Sequence, residues 1–98
     1  MSFSNTETAI VASYIISDTN LYHTVSVLIT DLLSSNEVSD AIILLSNNLR
    51  TIIQVELSSV FTGFSASSLL YRLINYSFAR IKFNEIADEL IADRIAVG

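Results

Sequence analysis

His23 is the only histidine in the chain. A zinc site needs several nitrogen, sulfur or carboxylate ligands converging on one point. The positions three and four residues further on are Ser26 and Val27, so no second ligand shares a helical face with it. A histidine on a helix surface is the simpler account. Serines are abundant, so a Ser-His-acid triad can be written down. Such a triad needs a strained turn around the nucleophile and an oxyanion loop. The two glycines, Gly63 and Gly98, are placed for neither, and two isolated glycines cannot cradle a phosphate. Cysteine is absent, which removes thiolate chemistry, disulfides and cysteine metal sites. No catalytic, metal-ligating or cofactor-binding residue emerges, and the chain is expected not to be an enzyme.

The titratable residues that do cluster are acids. Glu85 and Glu89 stand four apart, as do Glu89 and Asp93, with Asp88 between them. On a helix this crowds like charges onto one face. Crowding of that kind raises carboxylate pKa values and makes stability depend on pH. An acid-sensing or partner-pairing face is one reading; a solvated outer face, eased by the helix N-terminus near Glu85 and Asp88, is the other. Two facing carboxylates also serve glycosidases, but those need an aromatic sugar cleft, and tryptophan is absent. Asn75-Tyr76-Ser77 fits the N-glycosylation pattern, yet it falls in mid-helix beside core positions, a poor place for a glycan.

The remaining charges are uneven. Residues 1–49 hold Glu7, Asp18, Asp31, Glu37 and Asp40 and no base. Residues 50–98 balance Glu56, Glu85, Asp88, Glu89 and Asp93 with Arg50, Arg72, Arg80, Lys82 and Arg94. Ion pairs between helices or subunits would use this asymmetry, with Arg50, Arg72, Arg80 and Arg94 as the basic candidates; ordinary solvated faces would also account for it. The formal charge of −5 argues against nucleic acid as a partner. No small-molecule substrate is evident.

Ninety-eight residues suffice for one domain with one core, taken here as residues 1–98. The chain is 51% hydrophobic, above the usual share for a soluble domain. A lone domain of this size covers so much apolar surface poorly, which suggests burial against a second copy or a partner. No apolar run reaches the ~20 residues of a membrane span. No signal peptide is visible, since no positive region precedes Ala9–Ile16 and Glu7 sits just before it. The chain is still compatible with being one part of a longer secreted protein that begins with an added Met1. A cytoplasmic home stays open.

Proline is absent and glycine scarce, so long helices are favoured over a turn-rich sandwich. Residues 7–17 read as a first helix capped by Asn5 or Thr6. Ala9, Ile10, Val11, Ala12, Tyr14, Ile15 and Ile16 are dense enough that a strand would fit too. Asp18-Thr19-Asn20 breaks the chain and caps a second helix over 20–34, with Leu21, Val25, Leu28 and Leu32 on one stripe. Asn36 is expected to cap a third helix, which runs to about 57 with Ala41, Ile42, Leu45, Leu49, Ile52 and Ile53 at helical spacing. After a connection over 58–65, Ser65 caps a fourth helix reaching about 82, carrying Leu69, Leu70, Leu73, Ile74, Phe78 and Ile81. Asn84 is expected to cap the fifth, with Phe83 folding back as a staple. Five helices with short links make a compact all-α bundle.

Several strings resemble the carboxy-terminal domains of spider silk proteins, which are Ser-rich, Pro-poor bundles of about five helices. Thr24 to Ser35 is similar to the family's first long helix and its Ser-Ser turn. Asp40 to Leu49 resembles the second, where an Ala-Leu-Ser-Asn string is usual. Gly63-Phe64-Ser65-Ala66-Ser67-Ser68-Leu69-Leu70 resembles the start of the central helix, and Asn84 to Val97 the last helix. The family's cysteine falls at Ser67, its following acid at Ser68 and its central-helix glutamate at Tyr76. The resemblance implies a homodimer with a shared core through the central helix, with Leu69, Leu70, Leu73, Phe78 and Ile81 at the interface. It implies a role in keeping silk protein soluble in storage and aligning chains during assembly, in response to salt, pH and shear. Without the cysteine, packing alone would hold such a dimer.

A small secreted or adaptor helical hairpin of the type VII secretion kind is the alternative. Phe61-Thr62-Gly63 resembles the Trp-x-Gly turn of that family, with Phe in place of Trp and a position late in the chain.

Overall fold

The computed structural model describes residues 3–61 and 69–97, and these fold as five helices with no strand among them. They are α1 Thr6–Ser17, α2 Thr19–Ser35, α3 Val38–Phe61, α4 Leu69–Arg80 and α5 Phe83–Val97. The expected all-α bundle is therefore what forms. The ambiguity over residues 7–17 resolves to a helix. The Ser65 cap and the Ser67 and Ser68 positions lie outside the described residues.

Short polar side chains start the first helices. Asn5 has extended backbone, and its Oδ1 accepts the Thr8 N–H at 2.9 Å. Asp18 ends one helix and begins the next. Its own N–H donates to the Tyr14 carbonyl at 3.1 Å, and its Oδ1 accepts the Leu21 N–H at 2.9 Å. Asn36 does not cap α3 as expected. Its side-chain amide donates to the Leu32 carbonyl at 3.0 Å and so finishes α2. Glu37 precedes α3, and its carbonyl accepts from the Ala41 N–H at 2.9 Å. The third helix also runs four residues past the expected end near 57, to Phe61.

The core follows one stripe from each helix. Leu21, Val25 and Ile29 of α2 and Ala41, Leu45, Leu49 and Ile53 of α3 recur every fourth residue and are buried. From α5 come Phe83, Ile86, Ala87, Leu90 and Ile91, and the α3–α5 pair is the most extensive contact in the molecule. Ala12 and Ile15 add the buried edge of α1. Only one face of α1 is covered, although apolar residues surround it. Ile10, Tyr14 and Ile16 remain exposed on the others.

Helix α4 is the outlying element. Its principal helix partner is α1, and it joins α5 through a two-residue elbow at Ile81 and Lys82. At 45 × 25 × 23 Å the molecule is elongated.

A candidate association surface around helix 4

The elbow between α4 and α5 is held by residues from the opposite end of the chain. Thr8 is fully buried, and its hydroxyl donates to Asn5 Oδ1 at 2.6 Å while accepting the Lys82 N–H at 3.0 Å. The Asn5 amide donates to the Arg80 carbonyl, the last of α4, at 2.8 Å. A helix C-terminus leaves such carbonyls without intrahelical partners, so this bond answers a real deficit. Lys82, not Asn84, occupies the position before α5: its carbonyl accepts from Glu85 and Ile86, while Asn84 lies inside the helix. Phe83 is buried. Its ring lies 5.7 Å from that of Phe78 and 5.1 Å beneath the Arg50 guanidinium.

Charged groups reinforce the same seam. Arg80 Nε donates to Glu7 Oε2 at 2.7 Å, joining α4 to α1. This bond holds the Glu7 carboxyl below its usual range and raises Arg80 further. Glu85 accepts two bonds from Ser4, from the backbone N–H at 3.0 Å and from the hydroxyl at 2.6 Å. Those bonds, the hydroxyl first, lower the Glu85 pKa. The expectation that crowding would raise it is therefore corrected at Glu85. The donors come from the chain's N-terminal end, which spacing along α5 does not reveal.

The other sequence candidates scatter. Arg94 donates to Thr30 Oγ1 at 2.6 Å and to the Ser26 carbonyl at 3.3 Å, tying α5 to α2. Asp88 and Asp93 are exposed and Glu89 is half-buried. Arg72 is exposed and forms no ion pair or hydrogen bond among the described residues. His23 is exposed on α2. Asn75, Tyr76 and Ser77 are all exposed in the middle of α4, rather than beside the core. Among the described residues, no group of three or more His, Asp or Glu is placed to hold a metal ion. No helix among them is long and apolar enough to cross a membrane.

The expected interface residues divide in two. Ile81 is buried in the chain's own core and Phe78 packs half-buried against it. Leu69 and Leu73 are 72% and 54% exposed. With Tyr76 they form a stripe at spacings of four and three along the outer side of α4. The Leu70 side chain lies outside what is described.

A groove of about 550 Å³ opens between α1, α3 and α4. Its floor is Val11, Ile53, Leu57, Ile74 and Phe78, and its lips are Ile10, Tyr14 and Leu73. Glu7 and Glu56 stand at the rim, and the Tyr14 hydroxyl donates to Glu56 Oε2 at 3.3 Å. The negative charge of Glu56 raises the Tyr14 pKa, so this phenol stays protonated and donating. The composition hinted at such a surface through its apolar excess. Its location needed the elbow, because that joint decides which side of α4 faces out. No family model, curated protein or solved structure matches the chain.

Proposed function

We propose that this chain is a non-enzymatic self-association domain that works as a homodimer. The observation that carries the reading is a continuous apolar band on the surface. Ile10, Tyr14 and Leu73 share the lips of one groove, and Leu69 and Tyr76 extend it along α4. Single exposed apolar residues are ordinary on a soluble protein. A band rimmed by charged groups is what association surfaces look like.

The shape supports the same reading. The chain exposes 6234 Å², whereas a compact monomer of its 10.8 kDa mass exposes about 5,500 Å². Its radius of gyration is 14.3 Å, against about 13 Å for a compact domain of this length. A second copy seated on the apolar band would bring the exposed area toward the compact value. The helix order and the strings quoted above resemble silk carboxy-terminal domains, so the role we assign is control of solubility, storage and assembly of a longer, secreted chain.

Sedimentation at micromolar concentration and neutral pH tests the proposal. A dimer is expected, and a monomer overturns it.

A further inference from the structure

We propose that Asn75 is an N-glycosylation site, carried on the one flank of α4 that serves neither the core nor the apolar band. The inference rests on the secreted reading above and adds a covalent modification to it.

The acceptor pattern is Asn75-Tyr76-Ser77, with no proline between the amide and the hydroxyl. Spacing puts this stretch beside the core; topology does not. All three residues are exposed. Neither the Asn75 amide nor the Ser77 hydroxyl makes a hydrogen bond among the described residues.

The sides of α4 divide the work. Ile74 and Phe78 turn inward, toward the groove and the core. Leu69, Leu73 and Tyr76 make the exposed apolar stripe. Arg72, Asn75 and Ala79 stand three and four residues apart, so they share a third side. All three are exposed, and none lines the groove between α1, α3 and α4. At 3.6 residues per turn, Asn75 points about 100° away from Tyr76, and further from Leu69 and Leu73. A bulky, solubilising glycan on that side leaves both stripe and groove open.

The middle of a finished helix is a poor place for transfer, but α4 is not finished early. It has 12 residues. Isolated helices shorter than about 12–15 residues are marginal in water. Its main helix partner is α1, and the elbow that seats it needs the Lys82 N–H, which follows it in the chain. Until that joint closes, the acceptor stretch has little of its own to hold it helical.

The donor is an oligosaccharide carried on a lipid diphosphate. Asn75 Nδ2 attacks the anomeric carbon of the first sugar, and the bond from that carbon to the diphosphate oxygen breaks. The lipid diphosphate leaves with the electron pair, and the amide gives up one proton to a base. Nothing is oxidised or reduced. The Ser77 hydroxyl is not consumed; it completes the pattern that the transferring enzyme reads.

The test is secretion of the full chain from a glycosylating eukaryotic host behind a cleavable signal. A short tail with a known acceptor site reports that the chain met the transferring enzyme. Intact mass and peptide sequencing follow, before and after an amidase that releases N-linked glycans. Most of the wild type is expected to carry a glycan at Asn75, read as conversion of that residue to aspartate on release. Asn75→Gln and Ser77→Ala should lose it, and Ser77→Thr should keep it. A bare Asn75 beside a glycosylated tail overturns the site. Sedimentation keeps this result apart from the self-association reading. Glycosylated wild type and the Asn75→Gln variant should both be dimers, and circular dichroism should find them equally helical. If both are monomers, self-association falls and the glycosylation site stands. If only the glycosylated chain is a monomer, the Asn75 flank belongs to the interface and is not the free side proposed.

Discussion

The Thr8 hydroxyl oxygen accepts the Lys82 backbone N–H at 3.0 Å, across 74 positions of sequence. The bond is buried, and it fixes the direction in which the chain leaves α4 and enters α5. Through that elbow it also fixes which side of α4 faces outward. A residue from the first helical turn thus shapes a surface made by the fourth helix.

Thr8→Val should therefore destabilise the fold out of proportion to its size. The change keeps the shape but leaves the Lys82 N–H without its acceptor, at a cost of about 1–3 kcal/mol. Thr8→Ser retains the hydroxyl and should lose less. Urea unfolding of both variants decides the matter: a midpoint for Thr8→Ser below that of Thr8→Val would mean that the methyl group, not the hydrogen bond, holds the elbow.

Acid should loosen the same seam. Glu7 and Glu85 both have pKa values lowered below the 4.5 of the free group, by the Arg80 bond and by the Ser4 bonds respectively. A carboxyl depressed in the folded state adds stability that is fully present above its unfolded pKa. That contribution is lost as pH falls below about 4.5 toward the folded values. Denaturant midpoints should fall over this window, and Glu85→Gln together with Glu7→Gln should flatten the fall. An equally steep dependence in the double variant would assign the effect to other carboxylates. Glu7 is only half-buried and Arg80 is exposed, so salt should shrink the Glu7–Arg80 part.

Most of the fold is legible in the order of side chains, because its causes are local. The stripe Ala41, Leu45, Leu49, Ile53 announces α3, and Asp18 marks the α1–α2 joint by its type and position. The errors lie where a distant residue intervenes. Asn84 has the right chemistry for an N-cap, but Thr8 meets the N–H of Lys82 and the helix starts two residues sooner. Glu85 sits among acids along α5, yet its pKa is set by Ser4, 81 positions away. Helix α1 is apolar on all sides, so spacing cannot say that Ile15 is buried and Ile10 is not. The candidate surface depends on the same choice, because the apolar spacing of α4 groups Leu73 with Phe78 and Ile81, yet Leu73 is exposed while Ile81 is buried.

Core and surface leucines should differ sharply. Leu49 is fully buried between α3 and its neighbours, and Leu49→Ala should cost about 2–5 kcal/mol, the transfer of the side chain plus the cavity left behind. Leu69→Ala should change monomer stability by no more than about 0.5 kcal/mol. Chemical denaturation at a concentration low enough to dissociate any dimer separates the two. Comparable losses would place Leu69 inside the fold of a single copy.

Asp18 provides the last comparison, because three separate bonds meet there. Its N–H closes α1 on Tyr14, its carbonyl accepts the Tyr22 N–H at 2.8 Å, and its side chain caps Leu21. Only the third bond depends on the side chain. Asp18→Ala should thus cost about 1 kcal/mol, and Asp18→Asn, which keeps the acceptor oxygen, should cost less. The difference between Asn and Asp then reports the charge at the N-terminus of α2, about 0.3–1 kcal/mol, and it should disappear in high salt. If Ala and Asn destabilise equally, the carboxylate acts through charge alone and the cap bond to Leu21 contributes nothing measurable.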